Sequence, residues 1–409
     1  MIQILILDDN KAKAERVREV IETIPEILPD DVFVAQDLIQ ARDACRQHLY
    51  DLLVLDLRLP NRIGDTPEDM AGCEFIKELN SSTTLLRPYH IIGLTAYEDV
   101  LEKADPVFEN DLWRIIKYDT RTNIWRRQLA SKLQYLVTSK KALLKADSTR
   151  HIYDMGVVTA LHVPEYQSIL DLPAEWQEVK QPNDPTIYHK GRFQNGEKQL
   201  SVIAACAQQM GMPAAAVLSS KLIAQFRPRY LAMSGIAAAV KDGDARIGDI
   251  LIADQSWDYE SGKHKIVKNK QVFEPDPRSI PLRVDVKERF LHLHAQNSFL
   301  ADIQNAWRGG KQEGRLQVHI GPIASGSAVV QDEGIVAHIK AHSRKLIGLD
   351  METYAVFFAA ENSSLPRPIP LSIKSACDYA DKEKSDDHQA YAAFTSAQYL
   401  FRFALAYLK

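Results

Sequence analysis

Acidic residues follow two apolar runs near the start of the chain, where they could bind a cation or accept a phosphoryl group. Asp56 closes the run Leu52–Leu55, and Asp8 and Asp9 close the run Ile2–Leu7. If these runs are neighbouring parallel strands, their carboxyl ends meet at one edge of the sheet, where ligands bind. Three carboxylates at one edge repel one another unless a cation joins them, and their oxygen atoms suit Mg²⁺. The spacing therefore predicts a cation-dependent site around Asp56.

Two further residues suited to phosphate chemistry end later apolar runs. Thr95 follows Ile91–Leu94, and Lys117 follows Leu112–Ile116. Together with the three acids, they resemble the receiver domain of bacterial response regulators. Phosphoryl transfer to a carboxylate depends on positioning and charge neutralisation, which such residues provide. The alternative is a flavodoxin-like domain whose edge acids are merely solvated, but five suitable residue types at successive strand ends favour the receiver.

The receiver resemblance implies a role for each of these residues. Asp56 would be the phosphoacceptor. Thr95 would hydrogen-bond a phosphoryl oxygen, and Lys117 would pair with the phosphoryl charge. The ligands of Mg²⁺ would be the carboxylates of Asp8, Asp9 and Asp56 and the backbone carbonyl of Arg58.

The sequence departs from the receiver pattern at positions that relay the signal. Arg114 stands where the family usually has a switch aromatic residue, and Tyr118 stands where it usually has a proline. An insertion, about Asn61–Ala71, follows the phosphorylation strand. Phosphorylation is expected to survive these changes, whereas the usual relay to a partner surface is in question.

Length, composition and charge narrow the class of protein. A chain of 409 residues is too long for one ordinary core, and two or three domains are expected. Its 45% hydrophobic and 25% charged residues are typical of a soluble globular protein, and a formal net charge of −4 argues against nucleic-acid binding. The four cysteines lack CxxC spacing and are expected to be reduced thiols. With no signal peptide or membrane span evident, we expect a cytoplasmic protein.

Hydrophobic patterns divide the chain into two α/β domains. In the first ~120 residues, apolar runs alternate five times with amphipathic helical patterns, which predicts a doubly wound parallel sheet. The receiver resemblance implies that this sheet is flavodoxin-like and has five strands. A last helix is expected at about Thr122–Leu144 because its apolar residues have helical spacing. The predicted boundaries are 1–139 for the receiver domain, 140–152 for a charged linker that could also continue the helix, and 153–409 for the second domain.

The second domain begins a new alternation of strands and helices. The predicted strands are Met155–Val158, Leu200–Cys206, Tyr230–Met233, Ile247–Ala253, Val318–Ile323, Lys345–Leu349 and Leu371–Ile373. Helical patterns lie between them, notably Pro213–Phe226 and His388–Leu408. No helix-turn-helix module is visible, so we expect no nucleic-acid partner.

Three segments of the second domain carry acids beside strands. They are Gly156–Glu165, Gly348–Ala355 and Ile373–Asp381. These segments resemble the purine nucleoside phosphorylase and nucleosidase superfamily, most closely its hydrolytic members, which implies a nucleoside phosphorylase-like domain with a central mixed sheet. The matching motifs are Met351-Glu352, Ser375-Ala376-Cys377-Asp378, Ser234-Gly235-Ile236-Ala237 and Ser325-Gly326-Ser327-Ala328.

That resemblance implies a catalytic role for three acids. Cleavage of an N-glycosidic bond passes through an oxocarbenium-like transition state, which negative charge near the ribose stabilises. Glu352 would bind the ribose hydroxyls. Asp378 would protonate the leaving purine, which requires a carboxyl pKa raised by burial or by a neighbour. Glu165 would activate water as a general base. Glu165 could instead be an ordinary acid of a first helical turn, and Asp381 is the alternative for the purine acid.

The resemblance also implies contacts with the nucleoside. Base and ribose contacts are expected from Ser234, Gly235, Ala328, Val329, Val330, Met351 and Ser375. Phosphorylases of the superfamily usually place an arginine in the turn after the first strand. Here that turn, Thr159–His162, contains none, so water is the expected nucleophile and no cofactor is expected in this domain.

A basic stretch follows the motif Ile247-Gly248-Asp249-Ile250, where the 5′ end of a nucleoside should lie. It includes Lys263, Lys265, Lys268, Lys270, Arg278, Arg283, Lys287 and Arg289. Each residue alone could belong to an exposed loop. As a group they suit phosphate groups, and we single out Lys265, Lys268, Lys270 and Arg278.

A receiver joined to such a domain resembles the effectors of Detocs-type phage defence systems, which cleave ATP into adenine and ribose-5′-triphosphate. The resemblance implies an ATP nucleosidase gated by phosphorylation of Asp56, with a histidine kinase or phosphotransfer protein as partner. We also expect a homo-oligomer. The alternatives are a signal-controlled methylthioadenosine or adenosylhomocysteine nucleosidase and a non-catalytic purine nucleotide sensor. The acid triad disfavours a pure sensor.

Overall fold

The chain forms two compact units, Met1–Ala146 and Asp147–Lys409. The computed structural model describes residues 2–110, 113–147, 149–241, 244–267, 270–295, 298–310, 314–328, 330, 332–380 and 388–408. No helix in this described part of the chain is both long and apolar enough to span a membrane.

Strands and helices alternate throughout the first unit. Its strands are β1 (Ile4–Leu7), β2 (Val32–Ala35), β3 (Leu52–Leu55), β4 (His90–Thr95) and β5 (Arg114–Lys117). Its helices are α1 (Lys11–Glu22), α2 (Leu38–Gln47), α3 (Ala71–Ser81), α4 (Glu98–Asn110) and α5 (Ile124–Asp147). All pairings are parallel, in the order β2-β1-β3-β4-β5, the flavodoxin-like order of doubly wound sheets. The five-stranded parallel sheet is therefore as predicted.

The order of the strands decides which residues meet at the edge of the sheet. Strand β1 lies between β2 and β3, so Asp8, just after β1, lies beside Asp56, just after β3. Apolar side chains of these strands are buried on both faces by helices, as expected for a parallel sheet. The polar side chains that could take part in chemistry, such as Asp8 and Asp56, therefore lie at the carboxyl ends of the strands.

Helix α5 extends further than the sequence predicts. Its buried residues Trp125, Leu129, Leu133 and Val137 recur at every fourth position and pack on the first unit's core. The helix continues to Asp147, so the first part of the predicted linker is helical. Lys140, in that part, pairs with Asp51 at 2.7 Å. This contact ties the charged segment to the first unit.

The second unit contains more strands than the sequence pattern predicts. Its strands are β6 (Tyr153–Thr159), β7 (Gln177–Lys180), β8 (Ile187–Asn195), β9 (Lys198–Cys206), β10 (Pro228–Ala239), β11 (Ile250–Asp258), β12 (Gly262–Val267), β13 (Lys270–Pro275), β14 (Ile280–Pro281), β15 (Val318–Ser325), β16 (Gly348–Asp350) and β17 (Ile369–Asp378). Its helices are α6 (Gln167–Leu170), α7 (Met212–Phe226), α8 (Val284–His294), α9 (Ser298–Ala306), α10 (Glu333–His342), α11 (Thr353–Glu361) and α12 (Gln389–Tyr407).

A mixed sheet forms the centre of the second unit. Strand β10 pairs in parallel with β6 and β17, while β11 pairs antiparallel with β17 and parallel with β15. The carboxyl ends of β6, β10 and β17 therefore point the same way. Glu165 follows β6, Ser234 and Gly235 lie in the second half of β10, and Asp378 ends β17. Strands β7 and β8, which the sequence pattern does not predict, extend the sheet antiparallel beyond β9.

The first part of the basic stretch belongs to a hairpin, whereas Arg278 lies in an exposed loop after it. Strands β12 and β13 pair antiparallel and form a separate two-stranded sheet. The described residues of this ribbon are largely solvated on both faces.

Candidate active site

Glu165 lies in a short helical turn, His162–Tyr166, and is held by backbone donors from the loop after β6 and from β10. The N–H groups of Ala160 and Leu161 donate to its Oε2 at 2.7 and 2.9 Å. The N–H group of Ile236, on β10, donates to its Oε1 at 2.8 Å. The side chain is almost fully buried. The carboxylate therefore has a defined orientation and joins the ends of β6 and β10.

Gly235 makes room for this carboxylate. A Cβ atom at position 235 would lie 2.0 Å from Oε1 of Glu165, a distance at which two non-bonded atoms overlap. The side chain of the preceding Ser234 turns away, and its Oγ lies 2.9 Å from Oγ of Ser396 on α12. Gly235 thus contributes space to the site, while Ser234 fastens β10 to a helix and does not line the cavity.

Glu352 lies between β16 and α11 beside a buried lysine. The N–H group of Gly211 donates to its Oε1 at 2.9 Å, and Nζ of Lys374 donates to its Oε2 at 3.1 Å. Burial raises the pKa of Glu352 above its usual value, and Lys374 opposes that shift. For Lys374 itself, burial lowers the pKa, but nearby carboxylates led by Glu352 outweigh it and raise the pKa.

Asp350 adds a second acid beside Lys374 and Glu352. Its Oδ2 lies 3.6 Å from Nζ of Lys374 and accepts the N–H of Thr353 at 3.0 Å. Its Oδ1 accepts the hydroxyl of Ser325 at 2.6 Å. Because Thr353 begins α11, Asp350 satisfies a free donor at the helix start, where a negative charge is stabilised. Asp350 therefore also fixes Glu352, which lies between it and the helix.

Asp378 is the last residue of β17 and is buried. The N–H of Ala380 donates to its Oδ1 at 2.9 Å, and Sγ of Cys377 donates to its Oδ2 at 3.2 Å. A register shift between β10 and β17 places Asp378 opposite Ala238. Asp381, the alternative acid, lies outside the described residues.

The three predicted catalytic acids line one cavity that opens to solvent. Its walls include Glu165, Glu352 and Asp378 together with the predicted contacts Ala328, Val330 and Met351. Ser375 does not line it, because its Oγ accepts a hydrogen bond from Thr395 Oγ1 at 2.8 Å inside the core. Val329 lies outside the described residues. A concave, partly apolar surface on which a few polar groups converge is the usual form of a small-molecule site.

The sequence prediction omits several residues of the site, among them Asp350, Lys374 and Tyr259. Lys374 is fully buried, and Tyr259 lines the cavity with its hydroxyl donating to the Ala328 carbonyl at 3.2 Å. Burial raises the pKa of Tyr259 to about 12. Tyr259 gives the cavity an aromatic wall. For Lys374 the sequence signal is a lysine inside the apolar run of β17, since lysines are fully buried almost only when paired.

Lys263 and Arg278 lie along an open groove, and Lys265 lies on the hairpin. Arg283, Lys287 and Arg289 lie at the start of α8 or inside it, where they pair with Asp285 and Asp254. None of these six residues lines the cavity. The groove is lined by Ser261, Gly262, Lys263, Glu274, Pro275, Asp276, Arg278 and Tyr354. Lys265 pairs with Glu274 across the hairpin. Lys268 and the side chain of Lys270 lie outside the described residues. Of the four basic residues singled out from the sequence, Arg278 is therefore the one whose described side chain lines a concave surface.

The first unit brings its three predicted acids together. Ligand atoms of Asp8, Asp9 and Asp56 lie within 4.8 Å of one another. Oδ1 of Asp56 accepts the N–H groups of Leu57 at 2.7 Å and Arg58 at 3.4 Å. Burial, reinforced by Asp56, raises the pKa of Asp9. These oxygen donors are of the kind that Mg²⁺ takes.

The other predicted receiver residues lie at the ends of β4 and β5. Thr95 is buried, and its Oγ1 accepts the N–H of Tyr97 at 3.3 Å. The ammonium of Lys117 pairs with Glu98 and is half exposed. The cation that does contact the acids is Lys13, which the sequence prediction omits. Its Nζ lies 2.9 Å from Asp8, and burial, opposed by Lys13, raises the pKa of Asp8 to about 6.

Comparison with known proteins identifies the family. Residues 154–409 match the model of the phosphorylase superfamily. The "Uncharacterized protein y4jS" of Sinorhizobium fredii (strain NBRC 101917 / NGR234) is 32% identical over 405 residues, which cover 97% of each chain. The "ATP nucleosidase Cap17" of Escherichia coli is 23% identical over 261 residues, 58% of this chain and 50% of that protein, so the chain spans about half of that relative.

A solved structure, that of 5′-methylthioadenosine/S-adenosyl homocysteine nucleosidase from Helicobacter pylori with a bound inhibitor, is 18% identical with a TM-score of 0.48. The match covers 62% of this chain and 99% of that one. The family match covers more than half of the chain, and this protein therefore belongs to the phosphorylase superfamily.

Replacement of Lys374 by methionine should strongly destabilise the second unit. The change leaves Glu352 and Asp350 buried without their cation, and breaking a buried pair on one side typically costs about 3–5 kcal/mol. Guanidinium denaturation followed by circular dichroism measures the loss. The matched control is Lys180→Met, which removes the exposed pair with Glu178 and should cost at most about 1 kcal/mol. Equal stability of the two variants would contradict the role given to Lys374.

Proposed function

We propose that this member of the phosphorylase superfamily is a nucleosidase that hydrolyses the N-glycosidic bond of ATP and releases adenine and ribose-5′-triphosphate. The observation that carries the proposal is the convergence of Glu165, Glu352 and Asp378 on one cavity. An oxocarbenium-like transition state develops positive charge on the ribose, and fixed negative charge beside it lowers the barrier. The acids are held in place before substrate binds, so little reorganisation is needed.

The hydrogen bonds of the acids support distinct roles. An ionised carboxylate accepts about four hydrogen bonds. Glu165 accepts three from the backbone, which leaves it capacity for one water molecule as a general base. Glu352 accepts one from Gly211 and one from Lys374, which leaves it capacity for two ribose hydroxyls. Asp378, at the far end of β17, would deliver the proton to the purine.

The first turn of the second unit favours water over phosphate as the nucleophile. An anion-binding turn needs free backbone N–H groups or a cation. Here the N–H groups of Ala160 and Leu161 already donate to Glu165, and the turn contains no arginine. A phosphate ion placed there would also meet the carboxylate of Glu165. Hydrolysis is therefore the reaction that this turn supports.

The groove beside the cavity supports a substrate with a charged 5′ end. Tyr354 lines the groove and lies two residues after Glu352, the proposed ribose ligand. Lys263 and Arg278 line the same groove, and the charge of Arg278 reaches Tyr354, where it opposes the rise of the tyrosine pKa that burial causes. A triphosphate that extends from the ribose would meet these cations. Similarity to an ATP nucleosidase agrees with this choice.

We further propose that the first unit is a receiver domain that gates the enzyme. The flavodoxin-like strand order and the acids at the β1 and β3 ends support this assignment. A histidine kinase or phosphotransfer protein would phosphorylate Asp56. Asp8, Asp9, Asp56 and the carbonyl of Arg58 would hold Mg²⁺, which supplies neutralising charge for the phosphoryl group. Because unrestrained ATP cleavage would kill a cell, such a gate suits an effector of antiviral defence.

Replacement of Asp378 by asparagine should abolish rapid adenine release. Asparagine preserves shape but cannot donate the proton, and loss of general acid catalysis costs ~10²–10⁴-fold in rate. Liquid chromatography of reactions with ATP, adenosine and methylthioadenosine measures free adenine. The control is Asp302→Asn, which changes an exposed acid of α9. If the wild-type protein cleaves methylthioadenosine in preference to ATP, the proposed substrate is wrong. If it binds ATP tightly but releases no adenine, the protein is a nucleotide sensor and not an enzyme.

Replacement of Arg278 by glutamine should impair cleavage of ATP but not of adenosine. A hydrogen bond to a charged group contributes about 1.5–3 kcal/mol, so kcat/KM for ATP should fall about ten- to hundredfold. The exposed Arg308→Gln serves as the matched control. Equal kcat/KM values for ATP and adenosine in the activated wild-type protein would rule out a triphosphate site in the groove.

Replacement of Asp56 by asparagine should remove activation by acetyl phosphate. The variant lacks the oxygen that accepts the phosphoryl group, while its shape is retained. Phosphoryl labelling and adenine release are measured with acetyl phosphate and Mg²⁺, with the exposed Asp65→Asn as control. Undiminished labelling of the Asp56 variant would show that another residue is the acceptor.

A further inference from the structure

The ammonium of Lys13 occupies the centre of the acidic cluster in the first unit. Its Nζ lies 2.9 Å from Oδ2 of Asp8 and 2.7 Å from Oδ2 of Asp56. It also donates to the carbonyl of Leu94 at 2.6 Å. An ammonium group has three donors, and these three acceptors use all of them. They come from the ends of β1, β3 and β4, so one cation joins three neighbouring strands.

Lys13 makes these contacts from the buried face of α1. Lys13 lies on the buried face of α1 with Val17, Val20 and Ile21, and its side chain is only 6% exposed. The ring of Tyr118 lies 5.4 Å from Nζ, at a distance that favours a cation. Lysines are normally exposed, and they are buried almost only with partners. Lys13 is therefore an internal partner of the acids and not a solvated surface residue.

We propose that Lys13 is a tethered cation that competes with Mg²⁺ for Asp8 and Asp56. Mg²⁺ requires oxygen ligands at roughly 2.0–2.1 Å in a near-octahedral arrangement. Nζ lies against the same Oδ2 atoms that would face such an ion, and both cations cannot occupy that space. A divalent ion therefore binds only when the Lys13 side chain leaves. The competition raises the Mg²⁺ concentration at which the cluster is filled.

The contact between Lys13 and Asp56 also bears on the proposed gate, although the competition with Mg²⁺ does not depend on that gate. Oδ2 of Asp56 accepts from Lys13, and Oδ1 accepts from the backbone of Leu57 and Arg58. If Asp56 is the phosphoacceptor proposed above, Lys13 holds one of its two oxygen atoms and sets the Mg²⁺ concentration needed for phosphorylation. Cation binding can be measured without phosphorylation or ATP cleavage, so failure of either proposal is recognised separately.

Calorimetric titration of the full chain with MgCl₂ tests the competition directly. Lys13→Gln removes the cation but keeps a polar side chain of similar length among the carboxylates. The variant should bind Mg²⁺ at least ~10-fold more tightly than wild type, because three acids then lack a cation. The matched control is Lys11→Gln, an exposed residue of the same helix, which should bind as wild type does. Equal affinity of wild type and Lys13→Gln would overturn the proposal.

A measurement on the wild-type protein keeps the test decisive even if Lys13→Gln does not fold. The melting temperature of wild type should be insensitive to Mg²⁺ up to about 10 mM, because a ligand stabilises a protein only when its concentration approaches its Kd. Lys13→Arg retains the charge and should behave in the same way. Sub-millimolar binding of Mg²⁺ by wild type, or a rise in its melting temperature in that range, would show that Lys13 does not compete.

Discussion

The ion pairs of Lys374 are the interaction on which the second unit's site depends. Its fully buried ammonium lies 3.1 Å from Glu352 and 3.6 Å from Asp350. Buried carboxylates without a partner are costly, and a cluster of them would ionise incompletely or pull in water. One lysine on β17 lets two acids remain beside each other at the cavity. The two carboxylates outnumber the one ammonium, so the charge in excess is negative, which suits the cationic transition state of the proposed reaction.

In the first unit, buried carboxylates are likewise paired with a lysine, which comes from a helix. Lys13 joins Asp8 and Asp56, just as Lys374 joins Asp350 and Glu352. The two lysines differ in the roles proposed for their partners. Lys374 donates to one oxygen atom of Glu352, and the proposed ribose contact would use the remaining capacity of that carboxylate. Lys13 lies against Oδ2 of both Asp8 and Asp56, where it would compete with the proposed Mg²⁺.

Backbone donors contribute as much as charges to the geometry of the cavity. Glu165 is fixed by three N–H groups, two from the turn after β6 and one from β10, and the absence of a side chain at Gly235 lets the carboxylate approach. Such contacts orient an acid without a second charge. The groove that contains Arg278 is built differently, from both strands of the hairpin, the chain that follows it and Tyr354 of α11, and is open to solvent. In the proposed enzyme it would recognise charge and take no part in the bond-breaking step.

The sequence alone determined the alternating α/β architecture and the positions of the acids, because both follow from local patterns. Apolar runs predict strands, fourfold spacing predicts α5, and an acid after a strand must lie at the sheet edge. The tertiary structure decided which charges meet. Whether Lys13 and Lys374 are buried, whether Ser234 and Ser375 face the cavity or α12, and whether the basic stretch forms a hairpin depend on elements distant in sequence. Ion pairs and side-chain orientations of this kind are set by long-range packing, and no local pattern encodes the partner.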